Sequence, residues 1–243
     1  MSIPHDNSAN YYDFVFERRY GKRIHDLTRN NLMKIQEFAP NGKILDFGAG
    51  TGRISIPLAK DGYKVTAVDC SSEMLEVLRS KVELQNLNID TYSELSKTVS
   101  KDFDMVVSIF TVLAYITQKE EIKKVFGQIY NLLKPGGYYM FDLESKKGYE
   151  DIFRINNGVA YNRQEIDFKE LVTVDFKFTD KNLCQYNETV SGVINDEEFS
   201  YNEEFIIKFW SKDEIHICLK ELGFLEIKEL KYGNTEYYIV QKV

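Results

Sequence analysis

The sequence is poor in cysteine and proline. Its 243 residues include three cysteines and four prolines. The cysteines, Cys70, Cys184 and Cys218, are odd in number and far apart, and no Cys or His pair has the spacing of zinc ligands. A disulfide scaffold and a structural zinc site are therefore excluded, and we expect no metal and a reducing compartment.

A long apolar run and an excess of basic residues are also missing. The first ten residues are polar, and no segment approaches the roughly 18 consecutive apolar residues of a membrane-spanning helix. The 31 Lys and Arg against 38 Asp and Glu give a net charge of −7, and the densest basic run, residues 17–23, is interpreted as a solvated helix face. We expect a cytoplasmic protein that binds neither membrane nor nucleic acid.

The pattern of apolar residues instead predicts one α/β domain over residues 1–243. Strand-like and helix-like segments alternate through residues 1–144, which is typical of a parallel sheet with right-handed crossovers. A two-residue alternation dominates residues 145–210, and helical spacing returns in residues 211–243. The predicted fold class is a Rossmann-like, doubly wound, mostly parallel sheet with an inserted antiparallel β meander over the substrate cleft.

Helix starts and turns are marked in the sequence as well. Thr117 with Glu120, and Ser211 with Glu214, have the spacing of capping boxes. Residues 180–182 and 195–198 are predicted turns of the meander, because Asn and Asp favour turn conformations.

Glycines cluster between the first predicted strand and the helix that follows it. The segment Gly48-Ala49-Gly50-Thr51-Gly52 comes directly after the strand at residues 43–47. A loop at this place lies in the ligand crevice of a doubly wound sheet, and its glycines let backbone N–H groups approach the ligand closely. Asp69 ends the second strand, where a carboxylate can accept both hydroxyls of a ribose.

The spacing of these glycines separates two ligand classes. Dinucleotide sites have the pattern G-x-G-x-x-G, whereas this loop is G-x-G-x-G with an acidic residue, Asp46, before it. An NAD-dependent oxidoreductase is therefore disfavoured relative to a protein that binds S-adenosylmethionine.

At these motifs the chain resembles the class I S-adenosylmethionine-dependent methyltransferases. Four segments are similar to that family's landmarks in the same order: residues 45–52, 68–75, 102–109 and 132–138. The resemblance implies S-adenosyl-L-methionine as the methyl donor.

A narrower resemblance, to small-molecule N-methyltransferases of amino sugars and of glycine, covers most of the chain. It rests on Tyr12-Asp13, on residues 110–116 and on Phe209-Trp210-Ser211. The chain departs from the amino-sugar enzymes at Tyr115, where they often carry histidine, and at residues 142–144, where they carry Glu-Pro-Trp.

The family resemblance implies roles for individual residues. Those implied to hold the methionine part of the donor are Gly48, Ala49, Gly50 and Gly52, with Asp46 on its ammonium group or on water. Those implied to contact the nucleoside and sulfonium are Asp69, Cys70, Met74, Ser93, Glu94 and Ile109, and Tyr20 is a further cofactor-binding candidate.

The expected function is methyl transfer to a nitrogen or oxygen of a small metabolite, with an amino sugar as one candidate acceptor. Tyr12, Tyr115 and Asp142 are the candidates for steering the acceptor's proton. A non-catalytic donor-binding module and an O-methyltransferase remain alternatives, and a homodimer stays open. Methyl transfer needs no cysteine nucleophile, so we expect Cys70 to be a small buried residue. The three histidines, His5, His25 and His216, are expected to be exposed rather than catalytic.

Overall fold

The computed structural model describes residues 3–98, 100–147, 150, 159–164, 168–178, 182–232 and 235–243. Its helices are α1 Ala9–Tyr20, α2 Lys22–Phe38, α3 Ser55–Lys60, α4 Ser72–Leu84, α5 Lys119–Leu132 and α6 Lys212–Glu221. Its strands are β1 Lys43–Phe47, β2 Lys64–Val68, β3 Ile89–Tyr92, β4 Phe103–Ser108, β5 Leu133–Glu144, β6 Val159–Gln164, β7 Phe168–Phe178, β8 Leu183–Ile194, β9 Glu197–Lys208, β10 Phe224–Tyr232 and β11 Thr235–Lys242.

The larger sheet has seven strands in the order β10-β11-β5-β4-β1-β2-β3. The five strands from β5 to β3 pair in parallel, and β11 and β10 add antiparallel pairs at one edge. The chain order reverses between β1 and β4, and the loops that leave these two strands diverge to open a ligand crevice at the carboxyl edge. The predicted Rossmann-like, mostly parallel sheet is confirmed.

The central strands are buried on both faces, as parallel strands between helices are. In β1, Ile44 and Leu45 are fully buried but belong to different cores. Leu45 shares its core with Phe126 of α5, and Ile44 shares the other with Leu78 of α4. Because successive side chains of a strand point to opposite faces, an unbroken apolar run in β1 supplies both layers.

The second sheet confirms the predicted antiparallel meander, with strands in the order β6-β7-β8-β9. Asn195 and Asp196 form the turn between β8 and β9 with φ values of 48° and 69°, which suit a two-residue hairpin. Residues 180 and 181 of the other predicted turn lie outside the described residues. The meander shares a core with Val15 of α1, so α1 lies between the two sheets.

The start of one helix differs from the sequence prediction. The capping box at Thr117 is wrong, because Ile122 N–H bonds to Gln118 O at 3.1 Å and makes Gln118 the N-cap of α5. The box of Ser211 and Glu214 is present at the start of α6. No helix in the described part of the chain is long and apolar enough to cross a membrane.

Candidate functional site

A cavity of about 880 Å³ lies between the carboxyl edge of the large sheet, helix α1 and the meander. We call its first side the sheet wall, formed by Phe47, Gly48, Ala49, Gly50, Thr51, Asp69, Cys70, Met74, Ser93, Ile109, Phe110 and Thr111. We call the opposite side the meander wall, formed by Val174, Tyr186, Glu188, Tyr201, Glu203 and Phe205. Residues of α1 and the segment before it, among them His5, Tyr12 and Arg19, line the cavity between the two walls.

The glycines of the loop after β1 serve different purposes. Gly48, Gly50 and Gly52 all have positive φ, which favours glycine at each position. A Cβ at Gly48 would overlap with Val112, and a Cβ at Gly52 would overlap with Leu78. A Cβ at Gly50 would meet no protein atom within 4 Å, and Gly50 lines the cavity. Gly50 therefore keeps space open for a ligand, whereas packing explains the other two.

Backbone amides of the loop are engaged by the chain itself. The N–H groups of Gly48 and Ala49 donate to Val68 O at 2.7 and 3.1 Å. The Gly50 N–H donates to Asp69 Oδ2 at 2.8 Å. The glycine pattern predicts loop amides that approach a ligand, but these three N–H groups already have acceptors. The loop therefore provides space for a ligand rather than these three donors.

Asp69 faces the cavity with a half-buried carboxylate. Its Oδ1 accepts the Ser71 N–H at 2.9 Å, and its Oδ2 accepts the Gly50 N–H at 2.8 Å. Burial raises the pKa of Asp69 although both hydrogen bonds oppose the shift. Ser71, not Asp69, is the N-cap of α4. Each carboxylate oxygen has a second lone pair, so Asp69 can still accept two hydroxyl groups.

Cys70, Met74 and Ser93 also line the sheet wall. The expectation that Cys70 is buried is wrong, because its side chain is exposed at the cavity. Desolvation and the neighbouring Asp69 raise the pKa of the Cys70 thiol to about 11. The thiol is therefore protonated at neutral pH and is no nucleophile. Met74 is 2% exposed and serves both the core and the cavity surface.

Three cofactor-binding candidates do not lie on the cavity surface. Asp46 is buried below the loop, where it accepts the Ser55 hydroxyl at 2.6 Å, and burial raises its pKa to about 6. Gly52 bonds to Ala49 O at 3.0 Å. Glu94 is exposed and pairs with Lys97 at 2.8 Å.

Asp142 holds the loop that follows β4. Its Oδ2 and Oδ1 accept the N–H groups of Phe110 and Thr111, each at 2.7 Å. Both loop residues are left-handed, with φ of 81° and 62°, a conformation that costs energy for residues other than glycine. The buried carboxylate stabilises this turn, which leads directly from Ile109 at the end of β4.

Helix α1 brings two tyrosine candidates to the cavity. Tyr12 stacks on Phe16 with ring centroids 4.0 Å apart, and burial raises the pKa of Tyr12. Tyr20 meets the edge of Phe110. The hydroxyl of Thr51 in the glycine loop donates to Asp13 at 2.6 Å, which ties α1 to the sheet wall.

Tyr115 lies on the 3-10 turn Val112–Tyr115, between the sheet wall and the meander. Trp210 holds this turn, because its Nε1–H lies 3.1 Å from Leu113 O and 3.0 Å from Ile116 O. The hydroxyl oxygen of Tyr115 lies 2.8 Å from Nε2 of His5.

The histidine expectation is therefore wrong for His5, which is half-buried in the cavity lining. Burial, together with the charge of Arg19, lowers the pKa of His5 to about 4. His25 is exposed as expected, and His216 is half-buried with Nδ1 3.2 Å from Glu226. Because the neighbours of His5 in the sequence are polar, the sequence pattern predicted an exposed side chain.

Sequence reasoning also missed Arg19, which it assigned to a solvated helix face. The Arg19 side chain is 4% exposed and lies between α1 and the meander. Its Nε donates to Glu170 Oε1 at 2.8 Å, and its Nη1 lies 3.3 Å from Glu188 Oε1. One signal was available: Arg19 follows the buried Val15 by four residues, on the same face of the helix.

Known proteins share the domain that carries the sheet wall. Residues 44–137 match the family model described as a methyltransferase domain. A protein of Geobacillus sp. (strain WCH70) named as a methyltransferase is 34% identical over 125 residues, which are 50% of this chain and 51% of that protein. The chain thus spans about half the length of this curated relative.

Solved structures share the fold over nearly the whole chain. An S-adenosylmethionine-dependent methyltransferase from Clostridium acetobutylicum has a TM-score of 0.76 at 21% identity, covering 97% of this chain and 99% of its own. CalS10 from Micromonospora echinaspora, solved with S-adenosylmethionine bound and described as an amino pentose methyltransferase, has a TM-score of 0.72 at 13% identity, covering 96% and 97%. At these identities the two structures establish the fold.

The matched residues 44–137 contain the glycine loop, Asp69 and the turn after β4, which are the parts of the sheet wall that the sequence motifs singled out. Residues 44–137 therefore match a methyltransferase domain, and the chain has the fold of solved S-adenosylmethionine-dependent methyltransferases.

Proposed function

We propose that the protein transfers the methyl group of S-adenosylmethionine to the amino nitrogen of a small, polar acceptor of the amino-sugar class. The observation that carries the proposal is the cavity itself, in which the sheet wall and the meander wall face a common space of about 880 Å³. This volume lies in the range of small-molecule sites, about 300–1,000 Å³. A donor and a small acceptor fit there side by side.

The residues of the sheet wall suit the donor. Gly50 leaves open the volume that a Cβ would fill, and the Asp69 oxygens keep lone pairs for a ribose diol. Cys70 and Met74 offer an apolar surface beside Asp69 for the adenine. When bound, the donor supplies an electrophilic methyl on a sulfonium, and transfer forms an N–C bond while sulfur keeps the electron pair of the S–C bond.

The charges at the meander wall favour an amine. Glu188 and Glu203 line the cavity there, and the Arg19 guanidinium is already paired with Glu170 and Glu188. The excess of carboxylates attracts an acceptor that arrives as an ammonium ion. Such an acceptor has to lose a proton before it can attack, and the hydroxyls of Tyr12 and Tyr115 are the groups proposed to steer it.

Catalysis by this site rests mainly on orientation. Asp142 acts as a positioning residue, because it fixes the turn of Phe110 and Thr111 in the sheet wall. Helix α1 lines the cavity between the two walls. Holding two reactants in attack geometry supplies up to about 7–11 kcal/mol of a barrier. The amino pentose acceptor in the description of CalS10 is consistent with such a site.

The test measures S-adenosylhomocysteine formation with a panel of amino sugars, glycine, the matching neutral sugars and simple phenols. We expect turnover with amino sugars, and a strong loss in Asp69→Ala, while Asp90→Ala on the exposed side of β3 retains the rate. Turnover only with hydroxyl compounds would replace the nitrogen acceptor by an oxygen acceptor. Donor binding without turnover of any acceptor would support a non-catalytic module, and binding of NAD in its place would contradict the proposed donor.

A further inference from the structure

We propose that His5 is a positioning residue that fixes the direction of the Tyr115 hydroxyl, so that the Tyr115 oxygen accepts an N–H of the methyl acceptor. This inference rests on the proposed function, because it concerns the acceptor's amino group. The contact that carries it joins two segments 110 residues apart: Nε2 of His5 lies 2.8 Å from the Tyr115 hydroxyl oxygen.

The backbone around His5 is held on two sides. The N–H groups of His5 and Ser8 donate to the two carboxylate oxygens of Glu203 on β9, at 3.3 and 2.9 Å. On the other side, Asp6 accepts the hydroxyl of Ser71, the N-cap of α4, at 2.6 Å. The imidazole is therefore presented to the cavity from a segment that bridges the meander and the large sheet.

The position of Tyr115 is also fixed by its neighbours. Trp210 donates to carbonyl groups on both sides of it, and the Tyr115 ring meets Phe205 edge to face with centroids 5.2 Å apart. The His5 ring contacts Phe205 as well, at 5.6 Å. The two polar side chains thus meet in an aromatic corner between the sheet wall and the meander wall, which restricts other arrangements of the pair.

The surroundings keep the imidazole neutral. Tyr12 from α1 and Phe205 from β9 cover its ring, and the charged groups near it are Arg19 on α1 and Glu203 on β9. Burial and Arg19 lower the pKa of His5 to about 4. A neutral imidazole has one N–H and one acceptor nitrogen. With Nε2 as the acceptor, the proton lies on Nδ1 and the Tyr115 hydroxyl donates to His5.

The direction of the hydrogen bond from Tyr115 to His5 determines what Tyr115 presents to the methyl acceptor. Its only proton points to His5, so the oxygen presents lone pairs to the cavity. An amine then has to donate an N–H to Tyr115, and its own lone pair stays free for attack. A tyrosine hydroxyl without His5 would also donate to the amine nitrogen and block that lone pair. His5 therefore selects the reactive orientation of the acceptor.

The first experiment reads the hydrogen bond directly. The chain has three histidines, so ¹⁵N-histidine labelling gives three pairs of ring resonances. At pH 7 we expect Nε2 of His5 to be unprotonated, and Tyr115→Phe to move its resonance while those of His25 and His216 stay in place. A His5 protonated at Nε2 would overturn the proposal, whatever the acceptor.

The second experiment measures kinetics with an amino sugar that the wild type methylates. We expect His5→Leu and Tyr115→Phe each to lower kcat/KM at least about tenfold, the effect of one lost hydrogen bond. His5→Gln restores an acceptor atom near Nε2 and should stay within about threefold of the wild type. The double variant His5→Leu/Tyr115→Phe should be no slower than Tyr115→Phe alone, because the two residues act as a unit.

Two matched controls accompany these variants: His25→Leu, at an exposed histidine, and Tyr130→Phe, whose hydroxyl donates to Val243 O. Both should retain the wild-type rate. Losses that multiply in the double variant, or weaker S-adenosylhomocysteine binding by His5→Leu, would overturn the positioning role. A wild type that methylates no amine refutes the proposed function instead, so the two failures are distinguishable.

Discussion

The two walls of the cavity are built in opposite ways. The sheet wall consists of short segments at strand ends, and its hydrogen bonds join residues much closer in sequence, such as Gly50 and Asp69, which are 19 residues apart. The meander wall consists of side chains held by distant partners, as in the pair of Arg19 and Glu188, 169 residues apart. The matching family model covers residues 44–137, which contain the sheet wall, and does not reach the meander. We infer that the sheet wall serves the common donor and the meander wall selects the acceptor.

The largest expected effect comes from removing Arg19, which pairs with Glu188 of the meander wall and with Glu170 on β7. Arg19→Ala leaves Glu170 buried without its partner, which should lower the free energy of unfolding by about 3–5 kcal/mol. Urea denaturation measures the change. The exposed pair of Arg29 and Asp26 is the control, since Arg29→Ala should cost less than about 1 kcal/mol. Equal losses in the two variants would show that the buried pair does not hold the meander to α1.

The next effect concerns Asp46, below the sheet wall. The pKa of Asp46 is raised from 3.8 to about 6. Between these two pH values the folded state keeps a proton on Asp46 that the unfolded state has already released. Stability from this group is complete below pH 3.8 and is lost as the pH rises through about 6. Over this window the free energy of unfolding falls by about 3 kcal/mol. The free energy of unfolding of Asp46→Asn should depend less on pH over this window, and parallel curves for the two proteins would contradict the prediction.

A third prediction separates ligand space from backbone strain. Gly50 and Gly62 both have positive φ, and a Cβ at either one meets no protein atom within 4 Å, but only Gly50 lines the described cavity. Gly50→Val should weaken S-adenosylhomocysteine binding at least about 100-fold, or ~2.7 kcal/mol. Gly62→Val carries the same strain and should bind normally by calorimetry. If both variants lose affinity equally, the loop glycine does not make room for the donor.

The smallest effect is expected at Asp69. Asp69→Ala removes the charged acceptor of the ribose hydroxyls and should weaken donor binding by about 1.5–3 kcal/mol. Asp90→Ala, at an exposed position on the neighbouring β3, serves as the control. Calorimetric titration with S-adenosylmethionine decides the matter. An unchanged dissociation constant would place the ribose elsewhere and weaken the division of roles between the walls.

Prediction from the sequence succeeded where local patterns carry the information. The apolar run of β1, the glycines after it and Asp69 lie within 30 residues, and strand ends in a parallel sheet meet at one edge by geometry. The box of Ser211 and Glu214 was visible for the same reason, since a cap involves residues three apart. The capping box predicted at Thr117 was wrong, because a cap of this type depends on which residue accepts the first helical hydrogen bond, and that residue is Gln118.

The sequence by itself determined the alternation of strands and helices that begins at β1, the antiparallel character of the meander and the position of the glycine loop, because each follows from periodicity or spacing over a few residues. Tertiary structure decided that His5 meets Tyr115, that Arg19 is buried between Glu170 and Glu188, and that Cys70 faces the cavity. These contacts depend on how α1 and the meander pack against the large sheet. The sequence around a polar residue does not indicate which partner it contacts in the folded protein, since that partner is often more than 100 residues away.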